Sequence, residues 1–271
     1  MGVAYKAEGV KLHKVFDSAH VSMLRFQRIE MPSLHRTIIP RIRKSLETHG
    51  VSETLRRSLT APVRLISEYR ATKKLYKSVA PNAFDLAHQV ETSQRVHQSD
   101  LKTESPNWVY GVGYWPTPTE LVKEILAFLP IRHEQFTFVD LGSGKGRVLL
   151  MASDYPFEEI IGVEFAPELH RAAVENIGRY RSESQKCRNI KAVCQDMTTF
   201  ELPEEPLVVF LYNPASEAVM RIVAGNIISS LLDCLREMWV VYVTPAYDVF
   251  ERGRLQKVKA TDKYEIYTSA M

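Results

Sequence analysis

From residue 119 onward the chain alternates between short apolar runs and stretches with helical spacing, and this alternation limits the fold more than any other feature. The runs are 136–141 (FTFVDL), 160–164 (IIGVE), 189–194 (NIKAVC), 207–212 (LVVFLY) and 239–243 (WVVYV). Apolar residues recur at helical intervals in 119–129 (TELVKEILAFL), 147–153, 167–180 and 216–236, the last in one or two pieces around Gly225. Near-continuous apolar strands are those buried on both faces. Strands alternating with helices mean right-handed βαβ units and a parallel sheet covered by helices. A short helix is predicted over 246–252, and a terminal β-hairpin over 254–260 and 263–269. A ligand site in such a sheet lies at the carboxyl ends of the strands, where the strand order reverses.

The first of those strands runs directly into Asp140-Leu-Gly142-Ser143-Gly144-Lys145-Gly146. Glycines let the backbone turn sharply and let a ligand approach with no Cβ in the way. A nucleotide-hydrolysing loop needs GxxxxGK followed by Ser or Thr. Here Val139 stands five residues before Gly144 and Gly146 follows Lys145, so the spacing and the magnesium-binding hydroxyl are both missing. A dinucleotide loop needs GxGxxG; here Arg147 stands where the third glycine would fall. What remains is DxGxGxG at the end of a first strand, which resembles the signature of class I S-adenosylmethionine (SAM) dependent methyltransferases.

That resemblance implies a Rossmann-like class I methyltransferase sheet: α/β, seven strands, mostly parallel, with a terminal β-hairpin and a helical N-terminal extension. It implies SAM as cofactor, with the backbone of Gly142, Ser143, Gly144 and Gly146 passing along the methionine portion. Asp140 would receive the cofactor's cationic amine through a charge-assisted contact. Glu164, 24 residues after Asp140, ends the second strand where a carboxylate takes the ribose hydroxyls. Asp196, just past the third strand, matches the family's adenine-contacting acid, and Met197 beside it suits the purine face. A plain surface-loop acid is the other reading of Asp196.

Tyr212, Asn213 and Pro214 close the fourth strand, where this family reaches its acceptor. Amino-group methyltransferases carry a related Asn/Asp-Pro-Pro-aromatic sequence, whereas this chain reads Asn213-Pro214-Ala215-Ser216. The departure puts adenine and glutamine acceptors in doubt, and a strand-ending turn is the plain alternative. The stretch 136–176 resembles bacterial class I methyltransferases likened to the non-SET histone-lysine methyltransferases. By the same likeness Tyr114, Pro116 and Thr117 cover the methionine end of the cofactor; otherwise they are a packed aromatic linker with Trp108, Tyr110 and Trp115. His133 and His170 read as structural.

Before the sheet the chain changes character. Residues 1–100 hold 17 Lys/Arg against 9 Asp/Glu, and residues 101–271 hold 18 against 23. A basic, mostly helical extension over 1–100 and a methyltransferase domain over 101–271 are therefore expected. Helices are predicted from Ser52 and over about 85–96. The Arg/Lys-rich helix after Ser52 is either a solvated face or a surface for an acidic or nucleic-acid partner. No apolar run nears the roughly 18–20 residues of a membrane span, and no secretory signal is seen, so a cytoplasmic protein without a membrane partner is expected. The three cysteines, Cys187, Cys194 and Cys234, form no CxxC pair. That argues against a disulfide framework and a metal site; Cys194 and Cys234, in apolar stretches, are expected in the core. The expected function is methyl transfer to a nitrogen, with protein lysine as an acceptor class. Small-molecule O-methylation and a non-catalytic, SAM-retaining module on nucleic acid are the alternatives.

Overall fold

The computed structural model describes residues 82–101, 113–212, 215–250 and 254–270. Asn213 and Pro214, the predicted helix from Ser52, and the aromatic residues Trp108 and Tyr110 lie outside them. Chain order runs α1 (Ala83–His88), α2 (Thr119–Phe128), β1 (Thr137–Leu141), α3 (Arg147–Ala152), β2 (Glu159–Glu164), α4 (Pro167–Arg179), β3 (Ile190–Cys194), β4 (Leu207–Tyr212), α5 (Glu217–Asp233), β5 (Met238–Val243), β6 (Gln256–Ala260) and β7 (Tyr264–Thr268).

The seven strands form one sheet in the order β3-β2-β1-β4-β5-β7-β6. Neighbours among β1 to β5 are parallel, while β7 runs antiparallel between β5 and β6. The chain steps outward from β1 through β2 to β3 and then returns to lay β4 on the other side of β1. That reversal opens the sheet edge between β1 and β4, the place where this architecture holds ligands.

The pleat divides each central strand between two cores. On one side Phe138, Val208, Phe210, Trp239 and Val241 pack with Val122, Ile125 and Leu126 of α2 and with Val148, Leu149 and Met151 of α3. On the other, Val139, Leu141, Val209, Leu211, Val240 and Tyr242 pack under Val219, Met220, Val223 and Ile227 of α5. Each such side chain contributes roughly 1.5–3 kcal/mol when fully buried, which is why the positions of these strands that face the two cores are apolar. The edge strands differ. β3 is half covered, and β6 (QKVKA) is mostly exposed. On β6 the Lys257 ammonium pairs with Glu265 at 2.9 Å, and Lys259 lies over the Phe128 ring, 3.8 Å from its centroid.

Three expectations are corrected. The helix predicted over 85–96 ends at His88, because Gln89 takes the left-handed conformation (φ 55°). The Asp85 carboxylate then accepts from Thr92 and Ser93, and the chain turns into an extended bridge between Val96 and Tyr114. No helix forms among the described residues of 246–252; Phe250 instead packs between Tyr242 and Tyr267. Cys194 is exposed and Cys234 is half-buried, whereas Cys187 is the buried cysteine. The α5 helix passes through Gly225 unbroken. Among the described residues no helix is long and apolar enough to cross a membrane.

Candidate cofactor site

The register of the sheet brings the glycine loop and Glu164 together. Leu141, the last residue of β1, pairs with Val163, so the loop leaves β1 beside the end of β2. The N–H groups of Gly142 and Ser143 donate to the Val163 carbonyl at 2.8 and 3.0 Å. The Gly144 N–H donates to one Glu164 carboxylate oxygen at 2.9 Å, and the Ala166 N–H donates to the other at 2.8 Å. Glu164 therefore clamps the loop while keeping further lone pairs on both oxygens. Gly142, Gly144 and Gly146 all have positive φ. Gly162 on β2 has another reason to be glycine: a Cβ there would lie 2.4 Å from Leu149 Cδ1 and 2.8 Å from Ser143 Oγ.

Asp140 is the penultimate residue of β1 and is 3% exposed. Burial pushes its carboxyl up to about 8, and the nearby charge of Glu164 adds to the rise. Burial also pushes Glu164 up to about 7, although the N–H groups of Ala166, Gly144 and Phe165 pull against it. Two buried acids with raised values suit a cationic ligand, whose charge would lower both. The Ser143 hydroxyl is buried with no hydrogen-bond partner. SAM fits this donor and acceptor set: its cationic amine suits the acids, and its polar methionine end suits the orphaned hydroxyl.

Tyr114 sits on the loop. A Cβ on Gly144 would lie 2.3 and 2.4 Å from two carbons of the Tyr114 ring, so an edge of the ring lies against the glycine. Its hydroxyl donates to the Thr92 carbonyl at 2.7 Å, and burial keeps it protonated. Thr117 is buried and accepts from Arg147 through its carbonyl.

Asp196 and Met197 stand apart from this cluster. The Asp196 carboxylate accepts from the Thr198 N–H and hydroxyl at 2.9 and 2.7 Å, closing its own turn. Met197 packs with the core side that holds Val163 and Leu211. A link to the site exists through the main chain, since the Gln195 N–H donates to the Glu164 carbonyl at 3.1 Å. Tyr212 ends β4 on the opposite side of β1. Burial raises its hydroxyl, with the Thr244 side chain and the charge of Arg95 opposing the shift. His133 is wedged against Tyr155 and Phe157, as a structural residue would be.

Residues that the sequence reading passed over hold the loop from outside. Arg147 and Lys145 are buried. Lys145 Nζ donates to Glu91 at 2.6 Å, and Asn176 of α4 accepts from the Glu91 N–H and donates to the carbonyls of Glu91 and Lys145. Lys145 in the glycine loop and Arg147 directly after it were the available sequence signal, since cations beside a ligand-binding turn call for acids to meet them.

Replacing Glu164 with Ala is expected to weaken SAM binding by at least about tenfold, as for loss of a charged hydrogen bond of roughly 1.5–3 kcal/mol. Titration calorimetry checks this, and unchanged affinity in a folded variant refutes the assignment.

The family described as "Putative methyltransferase" matches residues 134–207, the stretch from the residues before β1 to the start of β4. A curated protein-lysine N-methyltransferase of Saccharolobus islandicus (strain REY15A) is 33% identical over 72 residues, which cover 26% of this chain and 44% of that protein. The chain thus spans less than half the length of that relative. Among solved structures, an RNA methyltransferase from Salinibacter ruber in complex with S-adenosyl-L-homocysteine is 18% identical with a TM-score of 0.40, over 56% of this chain and 91% of that one. A predicted N6-adenine-specific DNA methylase from Listeria monocytogenes str. 4b F2365 is 14% identical with a TM-score of 0.44, over 56% and 51%. Residues 134–207, which hold the glycine loop and Glu164, are thus similar to a methyltransferase family, and the sheet around them is the seven-stranded, mostly parallel α/β sheet of the class I methyltransferase fold.

Proposed function

We propose that the protein transfers a methyl group from SAM to a nitrogen acceptor, with protein lysine as the leading class. The observation that carries the cofactor half is the buried pair Asp140 and Glu164 flanking the glycine loop at the open edge of the sheet. SAM supplies a methyl group on a sulfonium, already activated for displacement. The protein's work is then to hold donor and acceptor in line and to keep water out. In this reading Asp140 takes the amine, Glu164 the ribose, and Asp196 and Met197 the adenine. Tyr114 and Thr117 cover the methionine end. Tyr212, Asn213 and Pro214 line the acceptor side, at the end of β4.

Two observations support nitrogen. The sequence places Asn213-Pro214 directly after β4, and the curated relative is a protein-lysine N-methyltransferase. The basic residues of 1–100 suit an acidic protein partner or a nucleic acid, and the charge break near residue 100 divides that extension from the methyltransferase domain.

Calorimetric titration with SAM, with NAD as control, is the first test; micromolar SAM binding without NAD binding is expected. Labelled methyl groups offered with lysine-bearing proteins, small amines and hydroxyl acceptors then test the second half. Transfer confined to hydroxyls overturns the nitrogen assignment. Asn213→Ala is expected to lower turnover by at least about tenfold with SAM affinity near normal; lost affinity with normal turnover reassigns Asn213 to the cofactor.

A further inference from the structure

The Arg147 guanidinium makes four polar contacts, and they converge on Tyr114. It lies in the first turn of a helix otherwise made of apolar residues, and it is 4% exposed. Its Nε donates to Thr92 Oγ1 at 2.7 Å, and Nη2 donates to Ser93 Oγ at 2.8 Å. Nη2 also faces Asp85 Oδ1 at 3.5 Å, and Nη1 faces the Thr117 carbonyl at 3.3 Å. The Thr92 hydroxyl donates to Asp85 Oδ1 at 2.5 Å, which leaves a lone pair for Arg147. These partners bracket Tyr114. The Tyr114 hydroxyl ends on the Thr92 carbonyl, its main chain is bridged to Val96 by hydrogen bonds of 2.8 and 3.1 Å, and Thr117 lies three residues further along.

Burying an arginine and its acid gives little net stability, since a well-packed apolar replacement often does as well. A planar fork that reaches several groups at once does something apolar residues cannot: it fixes their mutual geometry. We propose that Arg147 is a positioning residue of the cofactor site, acting through Thr92 and Thr117 to seat the Tyr114 ring on Gly144. The inference rests on the reading above that SAM binds at this loop. Arg147 itself touches no reacting atom. It determines how closely Tyr114 covers the loop, and so how tightly the site closes on the methionine end.

The test is a double-variant cycle on SAM affinity with a ligand-free arm. Arg147→Lys keeps the charge opposite Asp85 and loses the fork. It is expected to weaken SAM binding by roughly tenfold; in a Tyr114→Ala background the same change is expected to have under about a twofold effect, because the two act as one unit. Losses that multiply in full in the double variant, or wild-type affinity in Arg147→Lys, overturn the inference. If Arg147→Lys does not fold, Thr92→Val, which removes the hydroxyl and keeps the carbonyl, replaces it with the same expectations. Without ligand, hydrogen exchange over 113–117 is expected to quicken in the folded variant, and unchanged exchange overturns the inference. A wild-type protein that binds no SAM refutes the reading of the site, and the exchange arm then decides the positioning role alone.

Discussion

Gly144→Ala is expected to abolish measurable SAM binding, a loss of at least about a hundredfold, or roughly 2.8 kcal/mol. Two independent obstacles combine at this one atom. The residue has φ +55°, where an L side chain costs roughly 1–2 kcal/mol. The new methyl would also stand 2.3 Å from a Tyr114 ring carbon. The ring cannot simply swing away, since its hydroxyl and its main chain are both tied to the segment before the sheet. The loop must then shift, and the Gly144 N–H leaves Glu164. Calorimetry on the folded variant checks the loss, and affinity within about threefold of wild type contradicts it. Adding Tyr114→Ala to Gly144→Ala should return part of the binding, because only the backbone strain then remains.

Asp140→Asn is expected to do two opposite things: weaken SAM binding by about tenfold to a hundredfold, and stabilise the ligand-free protein. The first follows from removing the partner of a cationic amine. The second follows from linkage. The folded carboxyl titrates near 8, far above the roughly 3.9 of an unfolded aspartate. Between those values the folded protein holds a proton that the unfolded chain has released. The stability tied to that proton is complete below about pH 4 and is lost as pH rises toward 8. At pH 8.5 the wild type carries a buried charge that Asn does not. The variant should therefore melt higher there, by roughly 5 °C for a domain of this size, and the difference should close as pH falls to about 4. A variant that is less stable than wild type at pH 8.5 contradicts the assignment of Asp140 as a strained, ligand-awaiting acid.

The sheet was legible in the sequence because its central strands are buried on both faces. The run 207–212 coincides with β4, and the other four parallel strands begin or end within a residue of their apolar runs. The loop was legible because glycines at a strand end serve few purposes. What the sequence hid is the far side of the same loop. Lys145 and Arg147 figure in the sequence only as departures from other glycine-loop patterns, yet each is buried against an acid 54 or 62 residues earlier in the chain. A one-dimensional pattern cannot bring such pairs together. The helix predicted over 85–96 failed for a related reason. Asp85 lies in α1 as its spacing suggests, but its carboxylate is taken by Thr92 and Ser93, and that holds the chain after His88 out of the helix. Residues 82–101 lie before the charge break yet carry one arginine against three acids, and through these contacts they pack against the sheet domain.

The lysines of β6 have a consequence for the molecule among its own copies. An outer strand presents a row of unpaired N–H and C=O groups that another chain can adopt, the first step toward edge-to-edge aggregation. Here that strand carries Lys257 and Lys259, and its pairing with β7 slips between them. On the opposite rim Lys191 pairs with Glu159. A seven-stranded sheet with two open rims thus carries charge along both, and a third strand-like partner would have to bury it in order to add on.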